Sequence, residues 1–254
     1  RDYENARARL AEAEEAARAV NNGPLVSEAL ERLRRIDAEQ GGYEVALRLR
    51  EEGVQKARAS GDSQSLAGSL QTLAAVHVSQ GEHGIARVLL DESVSLWRET
   101  AIQRPLAGVL RELGDVARCQ GDYGAARASY GESLALSHGF DGKLGIARCL
   151  EGVALLEVAA ASQAQTGADP QTLPESETTR HTLARAVRLL GKAAHLRQAL
   201  GAPLDESYRT AYDRSIAAAQ DTLGAELFRS AWEEGQAMSL DQSIHDALEE
   251  TSRT

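Results

Sequence analysis

Amphipathic stretches with apolar residues at matching places recur along this chain. The matching pairs stand three residues apart: Leu30 and Leu33, Leu70 and Leu73, Leu110 and Leu113, and Leu150 and Val153. Apolar residues at this spacing share one face of an α-helix, whereas a strand alternates with a period of two. The pattern therefore predicts a series of helices, each burying one stripe and repeated every 40 residues.

A glycine follows each stretch with the same period. Gly41, Gly81 and Gly121 lie 40 residues apart, and the positions that follow are also alike: Tyr43, His83 and Tyr123, then Ala46, Ala86 and Ala126. Glycine adopts a positive φ without steric cost, which suits the end of a helix, and a small alanine lets a second helix pack closely. Each period is thus predicted to be a helical hairpin, and at least three stacked hairpins are needed to bury a core.

The period predicts how the chain is organised. We expect the repeat array to span residues 1–203, interrupted at 162–179 by a polar insert that contains Gly167, Pro170 and Pro174 and is interpreted as a loop. After the insert, Ala186, Leu190 and Gly191 stand 60 residues beyond Ala126, Tyr130 and Gly131, which implies about twenty inserted residues.

The C-terminal segment, residues 204–254, departs from the repeat. We expect a long helix from about Asp205 to Gln220 and then two shorter helices that cap the stack. Ser239 and Gln242 have the spacing of a capping box at the start of the last helix.

The position of the N-terminal residues within the 40-residue repeat suggests a fragment of a longer protein. Tyr3 and Ala6 fall 40 residues before Tyr43 and Ala46, so residues 1–20 correspond to a second helix without its first. Such a helix would expose an apolar stripe, and self-association is therefore an expectation.

Composition narrows the fold class and the partners. Hydrophobic residues make up 43% of the 254 residues but aromatic residues only 4%, which favours closely packed helices over a β-sandwich. A net charge of −10 opposes direct contact with nucleic acid. No apolar run approaches the ~18 residues that span a bilayer, so no membrane contact is expected. The isolated Cys119 and Cys149 suit a reducing cytoplasm.

One unit resembles a tetratricopeptide repeat through a set of apolar, glycine and aromatic positions. These are Leu110, Leu113, Gly114, Gly121, Tyr123, Ala126 and Tyr130. The 40-residue units are longer than the usual tetratricopeptide repeat, and the proline that commonly ends a unit is missing, with His138 near its place. The resemblance implies an all-α, tetratricopeptide-like helical-hairpin solenoid with a C-terminal helical cap.

The C-terminal part carries a more specific resemblance. The run from Ala186 to Gly191, with Leu196–Arg197 and Leu200–Gly201, is similar to the C-terminal region of bacterial LuxR-type and related signal-transduction ATPase regulators. A second matching set follows: Leu223, Gly224, Phe228, Ala231, Trp232, Glu234, Gly235, Met238, Ser239 and Leu240. Members of that family usually carry an ATPase domain and many carry a helix-turn-helix, neither of which is in this sequence.

Motifs of catalysis are missing from the sequence. It has no phosphate-binding loop, zinc-protease motif, C-x-x-C pair or G-x-S-x-G elbow, so we expect no catalytic residue, no metal and no cofactor. His77 is predicted to lie on the side of its helix that faces the core, where it is packed or hydrogen-bonded. Cys119 and Cys149 are interpreted as buried small residues, and Trp97 and Trp232 as packing residues.

Binding is predicted on the first helix of each hairpin, which lines the concave face of such stacks. The helical phase sends these candidate binding residues there: Glu31, Arg35, Gln71, Arg111, Asp115, Arg118, Arg148 and Glu151. Arg111, Arg118 and Arg148 could form a basic patch for an acidic peptide or an anionic ligand. The alternative is that they form surface ion pairs with Asp115, Glu112 and Glu151, which contribute little.

Two functions remain open, and neither is enzymatic. One is a protein- or effector-binding arm of a bacterial ATP-dependent signalling or transcription regulator, and the other is a stand-alone adaptor that binds a peptide or protein. The two differ in what precedes Arg1, and an enzyme would require a clustered set of perturbed ionisable groups.

Overall fold

The computed structural model of this protein describes residues 43–167 and 174–249, together with Glu12. Those two ranges form ten helices and no strand. The helices are α1 (Tyr43–Ser60), α2 (Ser63–Ser79), α3 (His83–Thr100), α4 (Gln103–Cys119), α5 (Tyr123–Gly139), α6 (Lys143–Gly167), α7 (Pro174–Leu200), α8 (Glu206–Leu223), α9 (Ala225–Ala237) and α10 (Leu240–Leu248). The fold is the predicted all-α array of tetratricopeptide-like hairpins with a C-terminal helical cap. The predictions for residues 1–20 and for the helix that carries Leu30 and Leu33 lie outside the described residues.

Backbone contacts divide the chain into two units, with the division between Leu96 and Trp97, inside α3. The first unit therefore holds α1, α2 and most of α3, and the second unit holds everything from Trp97 onward. The boundary predicted between the repeat array and the C-terminal cap, at residues 203/204, lies within the second unit, two residues before α8 begins.

Successive helices end in a left-handed residue at intervals of 20. Five of the described residues with positive φ stand at this spacing: Gly61, Gly81, Ala101, Gly121 and Asp141. After α4, Gly121 N donates to Arg118 O at 3.1 Å and Asp122 N donates to Ala117 O at 3.0 Å, which is the Schellman arrangement. The predicted glycine turns are confirmed at Gly81 and Gly121. The 40-residue period thus consists of two equal halves, each a helix of 17 or 18 residues followed by its turn.

The insert lengthens a hairpin and is not simply a loop. Helices α6 and α7 have 25 and 27 residues, and the loop prediction is wrong for residues 162–167 and 174–179, which are helical. The physical reason is local: residues 159–165 are mostly Ala and Gln, which favour helix, and Pro174 occupies a first helical position, where its missing N–H is not needed. Residues 168–173 lie outside the described part.

The core of the second unit is centred on the α6–α7 hairpin, and Tyr130 of α5 enters it. Tyr130 is fully buried, and its ring lies between Gly114 and Gly152. Only glycine fits at these two positions, because an added Cβ would lie 2.7 Å from the ring at Gly114 and 2.5 Å from it at Gly152. The Tyr130 ring thus fills the space between α4 and α6. The two glycines thereby fix where the Tyr130 hydroxyl points.

The cap packs on α7 through a reciprocal pair of glycines. A Cβ at Gly191 of α7 would overlap the carbonyl oxygen of Trp232, and a Cβ at Gly235 of α9 would overlap that of Arg188. The helix from Glu206 to Leu223 and the two shorter ones confirm the predicted C-terminal helices. Ser239 and Gln242 form the predicted capping box, with Gln242 N donating to Ser239 Oγ at 3.1 Å.

Four smaller predictions concern single side chains. His77 is buried with its Nδ1 2.7 Å from Glu82 Oε2, as expected, and Trp97 is buried. Trp232 is half-buried and stacks on Phe228 with ring centroids 6.0 Å apart. Cys149 is buried, but the same prediction for Cys119 is wrong, because the last residue of α4 faces solvent.

Candidate binding pocket

Three candidate residues of α4 share one face of that helix in the second unit. Arg111, Asp115 and Arg118 are spaced by four and three residues, which places them in one row. Arg111 donates from Nη1 to Asp115 Oδ2 at 2.8 Å and from Nη2 to Glu112 Oε1 at 3.1 Å. Burial alone would lower the pKa of Arg111, but the charges of Asp115 and Glu112 outweigh it and raise that pKa. The ion-pair alternative is therefore correct for Arg111.

The second oxygen of Asp115 is held from α5. Tyr130 donates its hydroxyl proton to Asp115 Oδ1 at 2.7 Å. Burial, and then the neighbouring Asp115 charge, raise the pKa of Tyr130 well above its ordinary value, so the phenol remains a donor. Both carboxylate oxygens of Asp115 are thus bound within the protein, and its position is fixed.

Glu151 of α6 is held by α7. Arg197 donates to it from Nε at 2.5 Å and from Nη2 at 2.9 Å, and Glu151 is 1% exposed. The same guanidinium donates from Nη1 to the carbonyls of Ala202 at 3.3 Å and Pro203 at 3.0 Å, beyond the end of α7. The expectation that Glu151 would stand on an open face or pair with the Arg111 patch is wrong, because the lengthened α7 supplies its partner.

Arg148 of α6 meets the start of α8. Its Nη2 donates to Asp205 Oδ2 at 3.1 Å, with side-chain exposures of 35% and 63%. Asp205 occupies the N-cap position of α8 with extended backbone angles, yet its side chain makes no capping hydrogen bond. The carboxylate that would ordinarily cap the helix is directed to Arg148 instead.

These side chains enclose a small polar pocket, which we define by its lining residues. They are Arg111, Asp115, Arg148, Glu151, Arg197, Asp205 and Tyr208. The cavity has a volume of about 30 Å³, and a water molecule needs roughly 10–15 Å³ measured this way, so it has room for about two. Its lining is almost entirely charged or hydroxylic, which suits a polar occupant.

Two buried donor groups in and beside the polar pocket have no partner among the described residues. One is the Tyr208 hydroxyl, and the other is Nε of Arg118, whose guanidinium forms no ion pair with any described residue. Burial, then the charge of Asp115, raise the pKa of Tyr208 well above its ordinary value, so it too remains protonated. Buried donors are nearly always satisfied in folded proteins, and these two therefore indicate a place for a further acceptor.

The structure brings together five of the eight residues predicted from the sequence. Arg111, Asp115, Arg148 and Glu151 line the polar pocket, and Arg118 lies beside it, near Tyr208 and Tyr130. Gln71 belongs to α2 in the first unit and is partly buried. Glu31 and Arg35 lie outside the described residues.

Three residues that close the pocket are not among those predicted from the sequence. Arg197, Asp205 and Tyr208 come from α7 and the start of α8, which follow the insert and break the repeat. Arg197 belongs to the run that resembles the regulator family, and this resemblance could have marked it as a candidate site residue. Nothing in the sequence pattern distinguished Asp205 or Tyr208 as site residues.

The described residues contain no cluster of His, Cys, Asp and Glu arranged to hold a metal ion. Within the same part of the chain, no helix is both long and apolar enough to cross a membrane.

Comparison with known proteins supports the fold alone. No protein-family model matches the sequence, and no curated protein matches it either. In structure the chain is similar to BtubC (BKLC) from P. vanneervenii, with a TM-score of 0.57 and 17% identity over 89% of this chain and 94% of that one. A protein from Podosopora anserina, described as a kinesin light chain with nearly identical TPR-like repeats, gives a TM-score of 0.44 at 17% identity over 78% of this chain and 97% of its own.

Proposed function

We propose that this chain is a non-catalytic binding module that holds a protein or peptide partner at the face formed by α4, α6 and α8. The observation that carries the proposal is the polar pocket with two buried donors that have no partner among the described residues: the Tyr208 hydroxyl in its lining and Arg118 Nε beside it. An interaction surface with buried, unpaired donors gains more from a matching acceptor than a surface whose donors are already paired.

The charge around the polar pocket favours an acidic partner. Arg111 and Arg148 are already paired, but Arg118 has no ion-pair partner among the residues described here. A guanidinium presents a fork of donors that matches a carboxylate, and a carboxylate is the group an acidic peptide offers. On this proposal Gln71, and in sequence Glu31 and Arg35, extend the same binding role to the earlier hairpins.

The wider setting that we propose is a bacterial ATP-dependent signalling or transcription regulator of the LuxR-type or related signal-transduction ATPase class. This part rests on the sequence resemblance of residues 186–201 and 223–240. Such an arm would act in the cytoplasm, and partner or effector binding would shift the ATPase between two states through a difference in affinity. The alternative is a stand-alone adaptor that joins two proteins, with self-association as a further property.

The binding proposal is tested with a labelled heptaglutamate peptide, whose C-terminus is amidated, followed by fluorescence anisotropy. Arg118→Met should weaken binding about tenfold or more, because a hydrogen bond to a charged group contributes roughly 1.5–3 kcal/mol. Arg229→Met is the matched control, since Arg229 is exposed on α9 and away from the polar pocket. Equal binding by Arg118→Met and wild type would contradict the proposal.

The wider setting is tested by sequencing the gene around this segment. A phosphate-binding loop of the form G-x-x-x-x-G-K-[ST] upstream in the same reading frame supports the regulator. A reading frame without any nucleotide-binding domain supports the adaptor.

A further inference from the structure

We propose that the polar pocket is a receptor site for a small monocarboxylate, which enters by taking Arg148 from Asp205 and is held at depth by the Tyr208 hydroxyl. The inference rests on the proposed binding function of the same face and names a chemical class of effector for it. On this inference the same face has two functions: it binds a protein partner, and its polar pocket binds a free small molecule.

The size of the pocket selects the class of ligand. A cavity of about 30 Å³ accommodates about two water-sized groups. The two oxygens of one carboxylate match that number, whereas the four oxygens of a phosphate exceed it. The rest of the ligand would extend through the mouth between Arg148 and Asp205, where both side chains are partly exposed.

The charges around the pocket limit the charge of a ligand. Three arginines (Arg111, Arg148 and Arg197) and three carboxylates (Asp115, Glu151 and Asp205) line the cavity, so its lining is balanced. Beside the lining stand one further arginine, Arg118, and one further carboxylate, Glu112, which pairs with Arg111. A dianion would be repelled by the three lining carboxylates more strongly than a monoanion, so the pocket favours at most a single negative charge.

The hydroxyl of Tyr208 marks the inner end of the site. It lines the cavity, is shielded from solvent and has no hydrogen-bond partner in the part of the chain that the structure describes. The charges of Asp115 and Glu151 act on this hydroxyl together with those of Arg118 and Arg111. A carboxylate oxygen placed against it would accept a hydrogen bond from it, with the two arginines offsetting part of the repulsion from the two carboxylates. Because the hydroxyl has no competing acceptor within the described residues, the ligand need not displace one there.

Entry requires only one weak contact to be exchanged. Arg148 is held by a single hydrogen bond to Asp205, and an ion pair as exposed as this one contributes little. The released Asp205 has a use, since it already occupies the N-cap position of α8 without capping it. Ligand binding at Arg148 would thus let Asp205 bond to the first amides of α8, which couples occupancy of the site to the order of that helix.

Isothermal titration of the full chain with sodium acetate at constant ionic strength tests the inference. We expect millimolar binding by the wild type and by the control Tyr123→Phe, which lies on α5 outside the lining of the pocket. Tyr208→Phe should weaken acetate binding about tenfold, and Asp205→Asn should tighten it severalfold, because the internal competitor for Arg148 loses its charge. Sodium phosphate should bind more weakly than acetate to every variant.

The variant Asp205→Asn keeps the inference falsifiable if Tyr208→Phe perturbs folding, because it predicts a gain that general damage cannot produce. Acetate binding that is equal in Tyr208→Phe and wild type, or that is unchanged in Asp205→Asn, would overturn the inference. If heptaglutamate binds the wild type and acetate does not, the occupant is a side chain of a partner, and only the proposed function stands. If neither binds, both proposals are wrong.

Discussion

Arg197 holds Glu151 with two hydrogen bonds across the α6–α7 hairpin, where both residues are less than one-tenth exposed. A second buried pair, Arg185 with Glu157, joins the same two helices six residues further along α6. The hairpin lengthened by the insert is therefore fastened at two levels by arginine–glutamate contacts. The first of them also anchors the turn that leads to the polar pocket.

Breaking one of these pairs should cost more than breaking an exposed pair. We expect Arg197→Met to lower the free energy of unfolding by about 3–5 kcal/mol, because it leaves the buried Glu151 charge without its partner. The double variant Glu151→Leu with Arg197→Met should recover much of that loss. Arg98→Met, which removes an exposed pair with Glu132, should change stability by about 1 kcal/mol or less. Urea denaturation measures all three, and a larger loss in Arg98→Met than in Arg197→Met would contradict this account.

The glycine pair between α7 and α9 gives a steric prediction. Gly235→Ala should destabilise the protein by about 1–3 kcal/mol or more, since the added methyl group would overlap the carbonyl oxygen of Arg188. Gly108→Ala on α4 is the control, because its Cβ would meet no atom within 4 Å. There the gain in helix propensity should stabilise the protein by up to about 1 kcal/mol. Thermal unfolding followed by circular dichroism should shift in opposite directions for the two variants.

Ala101 should be replaceable by glycine with a gain in stability. It has a φ of 57°, in the left-handed region that costs a residue with a Cβ roughly 1–2 kcal/mol. The greater freedom of glycine in the unfolded chain offsets part of this gain, so we expect about 0.5–1 kcal/mol. The reverse exchange, Gly121→Ala at a φ of 77°, should destabilise. A loss of stability in Ala101→Gly, measured by urea denaturation, would show that the turn is not strained.

The N-cap of α2 predicts a pH dependence. The hydrogen bond from the Ser65 hydroxyl, and then those from the backbone, lower the pKa of Asp62 below its usual 3.8. A carboxyl with a lowered pKa in the folded state stabilises the protein above the unfolded pKa, and that contribution is lost as the pH falls through the folded value. NMR titration of the Asp62 carboxyl should therefore give a midpoint below 3.8. Asp62→Asn keeps a capping side chain but should lose this part of the acid dependence.

The repeat was predictable because its signals are local. A glycine after the first helix of each hairpin, an alanine behind it and the capping pair of Ser239 and Gln242 each fix a few backbone angles, and the structure has all of them where it is described. The row formed by Arg111, Asp115 and Arg118 followed from helical phase alone. Gly167 and Pro174 were wrongly predicted to lie in a loop, because Gly167 ends α6 and Pro174 begins α7.

The closed side of the pocket could not be predicted, since it depends on contacts distant in sequence. Arg197 meets Glu151 across 46 residues, and Asp205 meets Arg148 across 57. Both distances depend on how far the insert extends α6 and α7, which no short pattern specifies. Tyr208 then arrives at the pocket only because α8 begins where that longer hairpin ends.

The 20-residue interval between left-handed residues continues across the insert. Among the described residues, the next one after Asp141 is Gly201, which is 60 residues later and therefore three intervals on. The added residues are divided between the two helices of one hairpin, which have 25 and 27 residues where the earlier helices have 17 or 18. At 1.5 Å a residue, each arm of the α6–α7 hairpin is therefore longer by roughly 12–15 Å, and the turn at its end still falls on the common interval.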